Sequence, residues 1–526
     1  MSKRFYITCP IYYPSAKPHV GTAYTTVLSD VLTRYKKLLG YDAFLTVGTD
    51  EHALKILTNA KKAGKAPMDF LNDFYVVFKE LWKKLDINYD AFIRTTDKKH
   101  EDVVKKVYAK IDELGLIELK KWNGWYCNSC EENYAMNNIV KNGEQFFCNQ
   151  GHLLVDRSED SLFFKLSKFT DWIYDLLYKE KPNFIYPEER RNELYNSFIK
   201  GGLEDLSITR ISQDWGIEVL ADKYKSPDGK THVAYVWIDA LFSYLSALNF
   251  LQPDDSNYQK FWNNDESVII HFMSKEIVRF HAIFWPIFLH TLGLKLPTKI
   301  ISHGWIVTPE GKMSKSLGNV IDPNEYIDAY GSDALRFFFV KGLILENDSI
   351  FSKERFIEVY NTYLANTIGN LANRVHSMVK KFCNGIIPQF LFAETYRTEF
   401  ITLLKTTQEC NAKIENNDSV GVVDTIIKLG EWVNKFIEKE KPWELFANHD
   451  AGKLNELISL LVNIVRTTFY YLSPVLTKSC RIILQGFGID LGAINQSNIN
   501  NFKECNGKTL NDLPILFPRI DVNKKQ

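Results

Sequence analysis

Two stretches of the 526-residue chain carry residue types and spacings suited to phosphate chemistry. The first is Pro18-His19-Val20-Gly21-Thr22, set where a helix is expected to begin. Unpaired N–H groups and the positive end of the helix dipole favour an anion there, Gly21 lets a flat or phosphorylated ligand lie close, and His19 can donate to a phosphate oxygen. A capped helix whose histidine merely packs would read the same way. The second stretch is Gly311-Lys312-Met313-Ser314-Lys315-Ser316-Leu317-Gly318. Two lysines bracketed by glycines make a mobile cationic loop able to neutralise charge on transferring phosphoryl oxygens.

A third group has metal-ligand spacing. Cys127 and Cys130 form a C-x2-C pair, and seventeen residues later Cys148 and His152 form C-x3-H. Four such ligands suit a closed structural zinc knuckle, with no position left open for chemistry. Buried unliganded cysteines are the alternative, and His152, beyond a three-residue spacer, is the weakest of the four.

The elements that must position the first group are legible from periodicity. Phe5-Tyr6-Ile7-Thr8-Cys9 is an apolar run cut off by Pro10, a short buried strand. From Val20, apolar residues recur at Ala23, Val27, Val31, Tyr35 and Leu38, one face of a helix that Gly40 ends. Phe44 to Val47 reads as the next strand. Two buried strands joined by a helix form a right-handed βαβ unit and open a doubly wound parallel sheet, whose ligands bind at the strand exits. Those exits carry Tyr12, Tyr13, His19 and Gly21 after the first strand and Asp50, Glu51 and His52 after the second.

Further helices are expected over Ala53–Lys62, Pro67–Leu85 and Lys99–Leu114. Ala234 to Ile238 reads as a strand ending in Asp239, followed by a helix bearing Leu241, Tyr244, Leu245 and Leu248. Trp237 and Tyr244 would flank a narrow apolar slot with Ala240 giving depth, suited to an unbranched thioether; an ordinary aromatic core cluster is the plainer reading. Beyond Pro323, helices dominate.

Sixty-four basic and sixty-four acidic residues leave no net field to draw nucleic acid or membrane, so any polyanion must be met by local patches. The apolar stretch Leu457–Leu476 is broken by Asn463, Arg466 and Pro474 and reads as a core helix. Eight sparse cysteines are expected in a reducing cytosol, and only Lys3 and Arg4 before the first strand are expected to leave no room for a targeting peptide.

His19-Val20-Gly21-Thr22 resembles the HIGH motif, and Lys312-Met313-Ser314-Lys315-Ser316 is a full match to KMSKS, the paired signatures of class I aminoacyl-tRNA synthetases. Thr22 replaces the second histidine; its hydroxyl can donate to phosphate but cannot be cationic. His271 to His281 resembles the GKDI…FH segment of the methionyl members, with Ser274 for Gly and Glu276 for Asp. The likeness keeps its order as far as Trp443.

The resemblance implies a Rossmann-like α/β doubly wound parallel sheet, a zinc-knuckle connective insertion and a C-terminal α-helical anticodon-binding domain. Its expected divisions are 1–115 and 230–322 for the two catalytic halves, 116–229 for the insertion, 323–365 for a stem-contact linker and 366–526 for the helical domain. It further implies ATP contacts at Tyr12, His19, Gly21, Thr22, Lys312, Met313, Ser314, Lys315 and Ser316, with His19, Thr22, Lys312 and Lys315 catalytic. Methionine would be held by Ile11, Tyr13, Asp50, Trp237, Ala240, Tyr244, Ile277 and His281, Asp50 taking the ammonium. Asn370, Arg374 and Trp443 match anticodon-binding positions, though an Asn and Arg on a solvated helix and a capping Trp are common.

The implied activity is two-step ligation of methionine to tRNA(Met) with ATP, Mg²⁺ and one structural Zn²⁺, by a cytoplasmic monomer without a membrane partner. Sister synthetases for leucine, isoleucine or valine need an editing insertion too large for Leu116–Lys230, and a cysteine enzyme would place its zinc in the amino-acid pocket. A non-catalytic RNA-binding relative is opposed by the intact lysine loop. No G-x-G-x-x-G follows the first strand, which excludes a nicotinamide dehydrogenase.

Overall fold

The first apolar run pairs along both edges and is buried from Phe5 to Thr8, which is why it shows no exposed polar alternation. A computed structural model describes residues 3–127, 132–134, 139–148, 151–212, 215–225, 231–313, 318–390 and 394–521. Its central sheet holds β1 (Arg4–Thr8), β2 (Asp42–Thr49), β3 (Ala91–Arg94), β4 (Ile185–Tyr186), β5 (Ser267–Ser274) and β6 (Lys299–His303) in the order β3-β2-β1-β5-β6-β4. Every neighbouring pair is parallel. Ile7 of β1 stands opposite Leu45 of β2 and Ile270 of β5, and β1 is buried from Phe5 to Thr8 on both faces.

Helix α1 (Val20–Leu38) crosses from β1 to β2 and buries Val20, Ala23, Val27, Val31 and Tyr35 of the predicted stripe, with Leu38 half-buried at its end. Burial of each of the three valines stabilises the fold by about 1.5–3 kcal/mol. The helices expected next form as Leu54–Lys62, Pro67–Lys84 and Lys98–Glu113.

One element differs from expectation. The strand predicted over Ala234–Ile238 stops at Ala234, and helix α2 (Val236–Ser246) begins two residues later. All of α2 except Trp237 is buried. A helix covered on every side has no apolar period, so its short apolar start cannot be told from a strand by pattern.

Between β3 and β5 the chain builds a separate antiparallel arm, in which Ile117–Cys127 pairs along its length with Val155–Phe164. The arm's Phe164 ring packs 4.9 Å from Phe288 at its base. The two-residue β4 follows the arm in sequence and returns to the edge of the central sheet.

The rest is helical. Helix α3 (Ser332–Lys341) leads to α4 (Asn370–Phe382), α5 (Arg397–Glu415), α6 (Ser419–Glu440) and α7 (Ala451–Leu472). α7 is buried at every residue from Leu457 to Leu472 and is the axis of the bundle. Its polar interruptions are partnered through their donors: Asn463 Nδ2 donates to the Ser459 carbonyl at 2.9 Å, and Arg466 to the Ile499 carbonyl at 2.8 Å, while Asn463 Oδ1 has no partner among the described residues. Among the described residues no helix is long and apolar enough to cross a membrane. Arg336 of α3, fully buried, joins the bundle to the sheet: it pairs with Asp30 of α1 at 2.7 Å and donates to the carbonyls of Leu85, Pro474 and Val475. Removing one partner of such a pair typically costs about 3–5 kcal/mol.

Candidate active site

The β1 and β2 exits lie at one edge of the sheet because the strands run parallel. Backbone bonds from Tyr12 N–H to the Gly48 carbonyl (3.1 Å) and from Asp50 N–H to the Tyr12 carbonyl (2.9 Å) lace the two exits together. Over this edge opens a cavity of about 450 Å³.

His19 caps α1, its Nδ1 accepting from the Gly21 N–H at 3.0 Å. That bond fixes the tautomer, placing the ring proton on Nε2, a donor suited to phosphate. A Cβ on residue 21 would lie 2.8 Å from His19 Cε1, so only glycine allows this cap. Tyr12 stacks on Phe78 and bonds Thr26 Oγ1 at 2.9 Å, which sets the floor. On the opposite flank, Lys312 Nζ lies 4.0 Å from the Trp305 ring centroid. Tyr12, His19, Gly21, Thr22, Lys312 and Met313 all line the one cavity; Ser314, Lys315 and Ser316 lie outside the described residues.

The other named residues line the same space. Ile11, Tyr13 and Asp50 come from the strand exits, and Ile277 and His281 from the segment after β5. Trp237, Ala240 and Tyr244 come from α2, spaced three and four apart on one helical face. Residues expected on a strand and a helix thus lie together on one helix. Trp237 stacks on Phe280 with centroids 3.8 Å apart.

Tyr244 Oη and His281 Nε2 are 2.7 Å apart, and His281 Nδ1 lies 3.0 Å from the Ile277 carbonyl. The carbonyl requires a proton on Nδ1, so Tyr244 donates to Nε2. Burial pushes the His281 pKa down to about 4 and that of Tyr244 well up, so the pair is neutral and self-satisfied. A slot with this wall favours an apolar, polarisable side chain over a charged one. Asp50, 3 % exposed, lies at the β2 exit and lines the same cavity.

Behind the slot lies a group that the sequence reading missed. Asp239 of α2, 1 % exposed, accepts from His52 Nδ1 at 2.7 Å and His100 Nε2 at 2.6 Å. Burial alone would raise the Asp239 carboxyl, but the two histidines hold it down at about 2; burial likewise opposes a charged His52, and the Asp239 carboxylate outweighs it and raises that imidazole. Separations of 187 and 139 residues left no local signal for this network.

Also missed were cavity residues Thr25, Glu276, His303, Trp305 and Ile306. His303 Nε2 is 2.7 Å from Thr25 Oγ1, and burial lowers its pKa to about 4. The strand-exit rule applied to Lys299–Ile301 as it was to the first two strands finds His303 and Trp305.

At the arm's tip, the ligand atoms of Cys127, Cys148 and His152 all lie within 4.8 Å of one another, with the two sulfurs 3.9 Å apart. Two thiols and an imidazole at this spacing fit a tetrahedral zinc with ligand bonds of about 2.0–2.3 Å. Cys130 lies outside the described residues.

In the bundle, Arg374 and Trp443 line one shallow depression of about 390 Å³, Trp443 being 41 % exposed. Arg374 pairs with Glu438 at 2.5 Å. Asn370 stands outside that depression and donates to Asn434 at 3.4 Å; Asn373 lines it instead.

Residues 5–376 match the family model described as tRNA synthetases class I (M). The chain is 41 % identical over 526 residues to the methionine–tRNA ligase of Ureaplasma parvum serovar 3, covering 99 % of each protein. It is 40 % identical to that of Caldanaerobacter subterraneus subsp. tengcongensis, covering all of this chain and 80 % of the relative. Its fold superposes on Mycobacterium tuberculosis methionyl-tRNA synthetase in complex with methionyl-adenylate with a TM-score of 0.91 at 32 % identity, over 98 % of this chain and 100 % of the other. With its two strand exits and its Lys312 flank meeting over one cavity, the chain belongs to the methionyl branch of the class I aminoacyl-tRNA synthetases.

Proposed function

We propose that this chain ligates methionine to tRNA(Met) in two steps. The methionine carboxylate attacks the α-phosphorus of ATP; a carboxylate-oxygen–phosphorus bond forms, the bond to the bridging oxygen breaks, and pyrophosphate leaves. A ribose hydroxyl of the terminal tRNA adenosine then attacks the methionyl carbonyl and releases AMP. No covalent enzyme intermediate is required. The observation that carries the reading is the single cavity shared by His19, Asp50, Tyr244, His281 and Lys312, in a chain about 40 % identical to methionine–tRNA ligases over its whole length.

Alignment and charge stabilisation are the protein's part. Asp50 holds the substrate ammonium, while Ile11, Tyr13, Trp237, Ala240, Tyr244, Ile277 and His281 enclose the thioether. Tyr12, Gly21 and Met313 border the nucleotide; His19 and Thr22 donate to its phosphates, and Lys312 and Lys315 offset charge on the leaving pyrophosphate, assisted by Ser314 and Ser316. Mg²⁺ arriving with ATP would supply further neutralisation. One methylene of difference discriminates by only about 1–3 kcal/mol, so homocysteine is the hard competitor.

Cys127, Cys130, Cys148 and His152 would hold one structural zinc, which locks the tip of the arm. Asn370, Arg374 and Trp443 would meet the anticodon, Trp443 by stacking on an unpaired base. The working form in this reading is a cytoplasmic monomer whose units are 1–115 with 230–322, 116–229, 323–365 and 366–526. Charging of total tRNA with labelled amino acids tests the proposal. Methionine on tRNA(Met), initiator and elongator, is expected; acceptance of another amino acid, or none, would overturn it.

A further inference from the structure

We propose, resting on the reading above, that Trp305 is a positioning residue for ATP: its indole face holds the Lys312 ammonium at the cavity wall before the triphosphate arrives. The backbone that carries the ring is fixed. Gly304 N–H donates to the Leu345 carbonyl (2.9 Å), Trp305 N–H to Asp348 Oδ1 (2.9 Å), and Ser349 N–H to the Trp305 carbonyl (2.9 Å). A Cβ at Gly304 would lie 2.2 Å from the Asn347 carbonyl, so the two segments touch backbone to backbone and fix the point from which the indole projects.

Onto this ring come two cations. Lys312 Nζ is 4.0 Å and Lys275 Nζ 4.2 Å from the centroid, both within cation–π range. Lys275 is also tied to Asp348, the carboxylate that anchors the Trp305 backbone, at 2.7 Å. Lys275 is therefore held twice, and its like charge on the same ring limits how strongly the indole keeps Lys312. A long lysine side chain loses much rotamer freedom when ordered, and a platform that orders it beforehand removes part of that cost from ATP binding. The face attracts strongly enough to bias the side chain and weakly enough to yield to a polyphosphate.

ATP–pyrophosphate exchange in a double-mutant cycle tests this. Trp305→Leu should raise KM for ATP about fivefold, a loss of one cation–π contact, with KM for methionine unchanged within about twofold. Trp305→Phe should restore ATP KM to within about twofold of wild type, since the indole Nε1 has no hydrogen-bond partner among the described residues and only the face is needed. In a Lys312→Ala background, Trp305→Leu should have no further effect. The emission of Trp305, taken as wild type minus W305F, should change on Lys312→Met, an arm that does not depend on the Leu variant folding. Equal rises in both KM values, an undiminished effect without Lys312, or an emission indifferent to Lys312 would overturn the proposal. Wild-type protein that fails to exchange with methionine would instead overturn the function proposed above.

Discussion

Asp239→Asn keeps the size of a buried side chain and removes the charge that two imidazoles share. In the fold the Asp239 carboxyl is held at about 2, against about 3.9 in an unfolded chain, a difference of roughly 2–3 kcal/mol. An amide keeps one acceptor but turns an N–H toward the second histidine, and breaking a buried pair costs about 3–5 kcal/mol. A loss of about 3 kcal/mol is therefore expected.

The network also sets a pH window. Asp239, with its pKa depressed, contributes stability that is present above about 3.9 and lost as pH falls toward about 2. His52, with its pKa raised above 6.5, contributes stability that is full below that value and lost as pH climbs through its elevated pKa. Wild-type protein should thus be most stable between about pH 4 and 6.5 with respect to this pair, and decline on the alkaline side. Urea unfolding followed by far-UV circular dichroism at pH 6 and 8.5 reads this out. Asp239→Asn should lower the midpoint at pH 6 and flatten the alkaline decline. Because α2 carries Asp239 together with Trp237, Ala240 and Tyr244, KM for methionine should rise by about tenfold, worth about 1.4 kcal/mol. An unchanged midpoint, or an equal pH slope in mutant and wild type, would refute the reasoning.

Three other outcomes are expected. Lys315→Ala should slow adenylate formation about a hundredfold, as removal of one transition-state charge contact does, and unchanged pyrophosphate exchange would exclude that role. Trp443→Ala should reduce tRNA charging while leaving methionine activation intact, because the side chain is exposed in the bundle and does not line the cavity; equal loss in both assays would make it a residue of the fold. Cys148→Ser should abolish zinc binding measured by atomic absorption and alter adenylate formation by less than about threefold, since none of Cys127, Cys148 and His152 lines the cavity. A full complement of zinc in that variant would remove Cys148 from the ligand set.

The β1–α1–β2 unit was legible because its helix, although buried on most sides, keeps apolar residues at three- and four-residue steps with Thr, Ser and Asp between them, and its strands are short apolar runs with clear stops. The parallel topology then carried Asp50 and His19 to one edge without any long-range information. α2 was misread at its start because complete burial erases periodicity, yet Trp237, Ala240 and Tyr244 still fell on one wall, since three- and four-residue spacing suits a helix better than the predicted strand. The His52–Asp239–His100 network was invisible, as its members meet only when β2, α2 and the Lys98–Glu113 helix pack. In the bundle, the sequence could not tell which asparagine of α4 faces the depression beside Trp443; helix rotation decides for Asn373.

The central claim is that one cavity activates methionine with ATP. ATP–pyrophosphate exchange, run separately with each of the twenty amino acids on wild type and on Lys312→Ala, tests it most directly. Exchange should occur with methionine alone and fall at least about tenfold in the variant. Exchange supported by a different amino acid, by none, or undiminished without Lys312 would contradict the account.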